Sequence, residues 1–132
     1  MGGGIDIIGV WELARWGRIR GNGPLMPFGP EARGRLIYDA SGIMSAHLER
    51  SSTRLPDATQ VYSYSGRWRI EGRTAFHEVD LANIPEWIGT TLTRTVLLLD
   101  TTRLKLETPP VAARSGALRD VLEWVRGSAA AA

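Results

Sequence analysis

The chain has no cysteine among its 132 residues. That excludes disulfides, thiol catalysis and Cys-ligated metals, and it fits a reducing compartment. Lysine is almost missing as well. Lys105 is the single one, so arginine supplies nearly all the positive charge, and the formal net charge at pH 7 is only +2. Histidine occurs twice, at His47 and His77. No apolar run approaches the ~18 residues that a membrane helix requires. Met1-Gly2-Gly3-Gly4 lacks the basic region that opens a secretory signal. The expectation is a cytoplasmic protein with no membrane partner.

Further absences narrow the chemistry. The arginines are scattered, and a nucleic-acid footprint would gather them on one element beside aromatic partners. Arg67-Trp68-Arg69 comes nearest, and alternation on an exposed strand face explains it, so no nucleic acid is expected. Two histidines without a carboxylate pattern make no metal site. Gly2-Gly3-Gly4 is no phosphate loop, because no strand–loop–helix context with Lys and Ser/Thr follows it. No Ser–His–Asp or paired-carboxylate spacing stands out. The expected cofactor is none.

What is present is short-strand patterning. Hydrophobic residues make up 43% and charged residues 23%, ordinary values for a globular protein. Eight segments read as strands separated by turn chemistry. They lie at about 7–16, 34–38, 43–49, 61–70, 74–80, 90–99, 104–108 and 117–126. Residues 17–30, rich in Gly and Pro, read as a loop. Asp39-Ala40-Ser41-Gly42 reads as a tight hairpin turn. Residues 50–60 read as a polar connection with room for a helical turn after Pro56. The fourth strand alternates cleanly, with Tyr62, Tyr64, Gly66, Trp68 and Ile70 on one face. Pro109-Pro110 stops the seventh strand. Eight short strands, hairpin-sized connections and no convincing helix predict an all-β fold: an eight-stranded, up-and-down antiparallel barrel. A β-sandwich is the competing architecture. One domain is expected over 5–126, and 127–132 reads as an appended or frayed tail.

Ordered pieces of the chain resemble the lipocalin-like domain family of small bacterial and fungal proteins. They include Gly9-Val10-Trp11-Glu12-Leu13, Pro27-Phe28-Gly29-Pro30 and Gly34-Arg35-Leu36-Ile37-Tyr38. Tyr64-Ser65-Gly66-Arg67-Trp68, His77-Glu78-Val79 and Pro85-Glu86-Trp87-Ile88-Gly89-Thr90 follow. Leu104-Lys105-Leu106 and Leu122-Glu123-Trp124-Val125-Arg126 complete the set. The resemblance implies a calycin-type barrel in which Trp11 plugs the closed end and Arg126 stacks on it. It also implies one mouth and one ligand site. Two departures stand out. The segment at 50–60 is shorter than the family's helical insertion. Phe76-His77 stands where the family often has two adjacent histidines.

Strand parity then selects the site. A polar side chain pointing into an apolar barrel is costly unless it is paired or binds something. His77 shares its face with Ala75 and Val79 and is the candidate acid/base; alternatively it is a core histidine bonded to a neighbouring Tyr or carboxylate. Arg94 shares its face with Leu92, Val96 and Leu98 and could hold an anionic or carbonyl oxygen; alternatively it faces outward with Thr91, Thr93 and Thr95 inside. Tyr64 is the third candidate catalytic residue, as a hydrogen-bond donor to a developing oxyanion. Tyr62, Trp68, Met44 and Leu92 are candidate ligand-binding residues from the interior, and Trp87 from the mouth. His47 and Glu12 read as outward.

Two functions fit these residues. The resemblance implies small-molecule binding with a redox-neutral cyclisation, isomerisation or dehydration of a polyketide-like compound in secondary metabolism. The other is non-catalytic binding of a hydrophobic small molecule. A filled barrel serving as a structural or homodimer-forming module is a third reading.

Overall fold

The computed structural model describes residues 6–29, 31–51, 58–114 and 116–127. It holds nine strands: β1 (Gly9–Arg20), β2 (Leu25–Pro27), β3 (Arg33–Tyr38), β4 (Ile43–Ser51), β5 (Thr59–Glu71), β6 (Thr74–Ala82), β7 (Thr91–Leu99), β8 (Arg103–Glu107) and β9 (Leu118–Arg126). Among the described residues a single 3₁₀ turn spans Pro85–Trp87. Strands β3 to β9 each pair with the next, β1 pairs with β3, and β1 also pairs with β9. Every pairing is antiparallel. The result is the expected all-β, up-and-down barrel of eight strands, closed by a long ladder between the first and last of them.

The ninth strand corrects the expectation of a loop over 17–30. β1 does not stop at Trp16 but runs to Arg20. β3 covers its edge only from Gly9 to Glu12, and β2 covers it from Gly17 to Ile19. Gly17 reads as a turn signal in sequence, yet here it makes room for a neighbour: a Cβ would lie 2.7 Å from Leu25 Cδ1. The Gly2-Gly3-Gly4 run, the turn after Pro56 and the tail from Ser128 lie outside the described residues. Gly127 is bonded to the barrel, its N–H donating to the Val10 carbonyl at 2.6 Å.

One end of the barrel is sealed. Tight turns join β3 to β4, β5 to β6 and β7 to β8 there. Trp11 is fully buried, and its indole N–H donates to the Ile7 carbonyl at 2.9 Å. The Arg126 guanidinium sits 4.1 Å from the Trp11 ring centroid. Its three nitrogens donate to the carbonyls of Thr101, Ile8 and Asp6, each at 2.9 Å. These contacts give the Gly9-x-Trp11 spacing its physical reason. Gly9 adopts φ 139°, and a Cβ there would lie 2.7 Å from Arg126 Nη1. A side chain at position 9 would therefore clash with the arginine that caps the tryptophan.

Bulges adjust which residues face inward. In β1 the register shifts between Leu13 and Arg15, which lets both Trp11 and Trp16 be buried. In β7 it shifts between Val96 and Leu98. Leu98, expected on the inner face with Arg94, therefore pairs with Lys105 and lines an outer groove with Ala14 and Arg103. Leu99 packs against the core instead.

Candidate ligand-binding site

The opposite end is open. It is the end at which β1, β4, β6 and β8 finish, and it leads into a cavity of about 230 Å³. The wall is largely apolar: Trp16, Leu36, Ala46, Leu48, Leu106, Leu122 and Trp124, with Tyr62, Tyr64 and Trp87. Strand alternation puts these residues there. Leu36 on β3, Ala46 and Leu48 on β4, Tyr62 and Tyr64 on β5, and Leu122 and Trp124 on β9 each follow the period-two rule. Trp87 reaches the wall from the 3₁₀ turn, stacked on Tyr62 at 5.9 Å and 21° and edge-on to Tyr64 at 5.6 Å.

His77 forms part of the cavity lining and is 1% exposed. Both ring nitrogens are occupied, Nε2 at 2.6 Å from the Tyr38 hydroxyl and Nδ1 at 2.8 Å from the Tyr64 hydroxyl. Tyr38 is completely buried, and His77 is its hydroxyl's hydrogen-bond partner among the described residues. Its proton therefore points at Nε2, which fixes the imidazole as the Nδ1–H tautomer. Nδ1–H then donates to Tyr64, leaving the Tyr64 proton free for the cavity. Burial, helped by the charge of Arg94, lowers the His77 pKa to about 3. The imidazole is thus neutral near pH 7. Burial pushes both phenols up, Tyr38 well up, while Arg94 partly opposes the rise at Tyr64 by hydrogen bond and charge. Both remain protonated donors.

Arg94 lines the cavity, and its Nη1 donates to the Thr93 carbonyl at 2.8 Å. Thr91 and Thr95 are exposed, so the outward alternative for Arg94 does not hold. Four polar residues nearer the mouth complete the lining: Arg18, Arg50, Thr108 and Asp120. Asp120 accepts from Arg18 Nε at 2.7 Å and from the Trp16 indole at 3.1 Å. Arg50 is only 6% exposed. Its guanidinium lies 3.9 Å from the Phe28 ring centroid and 4.8 Å from that of Trp16.

The structure thus brings His77, Arg94, Tyr64, Tyr62 and Trp87 together around one cavity. Met44, Trp68 and Leu92 do not line it. Met44 is buried in the core. Trp68 packs edge-on against Tyr38 at 5.1 Å and donates its indole N–H to the Asp39 carbonyl. Leu92 pairs with His77 and packs against the core. His47 is outward, 2.8 Å from Glu49, and Glu12 pairs outside with Arg35.

Sequence reasoning missed Trp16, Arg18, Arg50, Tyr38 and Asp120. The signal for Arg50 existed: Met44, Ala46, Leu48 and Arg50 continue one parity. Asp120 likewise continues the face of Leu122 and Trp124. Among the described residues no group of three or more His, Asp and Glu could hold a metal ion. No helix of the described residues is long and apolar enough to cross a membrane.

Comparison with known proteins agrees with this geometry. The family model described as a lipocalin-like domain matches residues 8–61, from the strand that carries Trp11 into β5. The chain is an eight-stranded barrel whose N-terminal part is similar to a lipocalin-like domain. A solved structure of a redesigned beta barrel is similar at 12% identity and TM-score 0.46, over 92% of each chain. No curated protein matches. The matched stretch includes Gly9 and Trp11 of the sealed end.

Proposed function

We propose that this barrel binds one small, mainly apolar molecule in the cavity at its open end. Tyr64 and Arg94 hydrogen-bond to an oxygen of that molecule. The observation that carries this reading is an aromatic and aliphatic wall with the Tyr64 hydroxyl and the Arg94 guanidinium set into it. Largely apolar pockets with a few placed polar groups are the usual form of small-molecule sites. Size limits the choice. A cavity of ~150 Å³ holds benzene, and drug-sized ligands need ~300 Å³ or more. At about 230 Å³ this one suits a single substituted ring or a short chain. A larger polyketide-like compound would have to project through the mouth. Three of the five tryptophans line the cavity, so a fluorescence titration with substituted benzenes is the test. Saturable one-to-one quenching is expected. A panel of such rings, neutral and acidic, that gives no saturable change would refute it.

A second reading adds chemistry: a redox-neutral cyclisation, isomerisation or dehydration. What favours it is that Tyr64 and Arg94 could jointly stabilise an enolate-like oxygen, as an oxyanion hole does. His77 would then act as a positioning residue that orients Tyr64, because a neutral imidazole with both nitrogens engaged is a poor base near pH 7. His77→Ala and Arg94→Ala variants that stay folded and turn over a candidate substrate at the wild-type rate would defeat this reading. The binding reading would stand.

A further inference from the structure

Three arginines line the cavity, and their partners differ. Arg18 is neutralised by Asp120, the one carboxylate in the lining among the described residues. Arg94 lies against Tyr64 and the Thr93 carbonyl. Arg50 has no carboxylate or carbonyl partner among the described residues. Its Nη2 reaches the Tyr62 hydroxyl at 3.3 Å, and its Nε and Nη1 are buried with no hydrogen-bond partner. The indole Nε1 of Trp124, another lining residue, is also buried without one. Buried charge and buried unpaired donors are both costly, and they persist where something else supplies the acceptor. The rings of Phe28, Trp16 and Tyr62 around the guanidinium, at 3.9, 4.8 and 5.7 Å, hold it in place but offer no acceptor to its N–H groups.

We propose that the ligand is a small monocarboxylic acid whose carboxylate seats on Arg50 and whose apolar body fills the cavity. This rests on the binding reading above as far as the cavity goes, with Tyr64 and Arg94 meeting a second oxygen in an acid that carries one. A carboxylate supplies the missing acceptors and one negative charge, matching the lining guanidinium that has two buried donors without partners. A phosphate dianion fits worse, because the wall around Arg50 is aromatic and aliphatic and suits an apolar body rather than a strongly hydrated ion.

The test compares 4-propylbenzoate with 4-propylbenzamide, matched in shape and differing in charge, by calorimetry near pH 7. Wild-type protein is expected to bind the acid at least about tenfold more tightly, the size of one charge-assisted hydrogen bond. In Arg50→Met, which keeps the length and most of the packing, the two are expected to bind within about twofold. Arg50→Gln is the substitute if the methionine variant does not fold. Equal affinity in the wild type overturns the proposal without any variant, and so does a preference that survives in Arg50→Met. Inorganic phosphate displacing the acid at comparable concentration overturns the assignment of a carboxylate. Binding of the amide alone defeats the carboxylate proposal and leaves the binding reading intact. Failure of both probes defeats the two together.

Discussion

The two ends of the barrel each place an arginine on an aromatic ring, and the arginines are in opposite states. At the sealed end Arg126 lies 4.1 Å from the Trp11 ring, and all three of its nitrogens donate to backbone carbonyls. At the open end Arg50 lies 3.9 Å from the Phe28 ring, and two of its nitrogens have no acceptor. The stacking is alike; the hydrogen bonding is not. A cation whose donors are all used holds the fold together. A more deeply buried cation whose donors are open stands ready for something the chain does not contain. The contrast assigns stability to one end and recognition to the other.

Acid should give the largest effect and shows how far the packed region extends. His77 is buried with its folded pKa lowered to about 3, against an ordinary value near 6.5. The stability it contributes is present above about pH 6.5. It falls as pH drops toward 3, because the unfolded chain takes up the proton first. The slope is about 1.4 kcal/mol per pH unit, several kcal/mol across the window. Urea unfolding from pH 7 to 4 should show this slope in wild type and lose much of it in His77→Gln. An unchanged slope in the variant would place the acid sensitivity elsewhere.

Trp11→Ala comes next, at about 3–5 kcal/mol of stability, the usual cost of deleting a buried aromatic. Binding by the fraction still folded should not change. Arg126→Met removes the stacking and three hydrogen bonds and should cost about 1–3 kcal/mol, again with no effect on binding. Loss of ligand affinity in either variant while folded would break the division between the ends. Tyr64→Phe should cost about 1 kcal/mol in stability and weaken an oxygen-bearing ligand about tenfold in a calorimetric titration. Arg50→Met should be smallest in stability, within about 1 kcal/mol either way. Replacing an uncompensated buried charge by an apolar chain is often neutral or stabilising. A thermal melt that drops as far as in Trp11→Ala would make Arg50 structural, like Arg126.

Much of the fold was legible because strands follow a simple parity. Tyr62, Tyr64, Ala75, His77 and Val79 needed only alternation, and the Gly9-x-Trp11 spacing with Arg126 foretold the sealed end. What hid the rest was geometry that alternation does not encode. A bulge in β7 turned Leu98 outward, and Gly17 looked like a turn while serving as strand. Parity tells which face a residue takes but not its depth along the barrel. Parity alone therefore makes Met44 and Trp68 ligand-facing, whereas they pack away from the cavity. Arg50 lay just past the predicted strand end, in a stretch that reads as polar connection.

The five tryptophans make the division between the ends directly measurable. Indole N–H signals from Trp16, Trp87 and Trp124 report on the cavity wall, and those of Trp11 and Trp68 report from outside it. A ¹H–¹⁵N NMR titration with 4-propylbenzoate, with signals assigned by Trp→Phe variants, should move Trp16, Trp87 and Trp124. Trp11 and Trp68 should stay in place. Shifts at Trp11 and Trp68 as large as those at Trp16 and Trp87 would contradict a sealed end and an open, ligand-binding one.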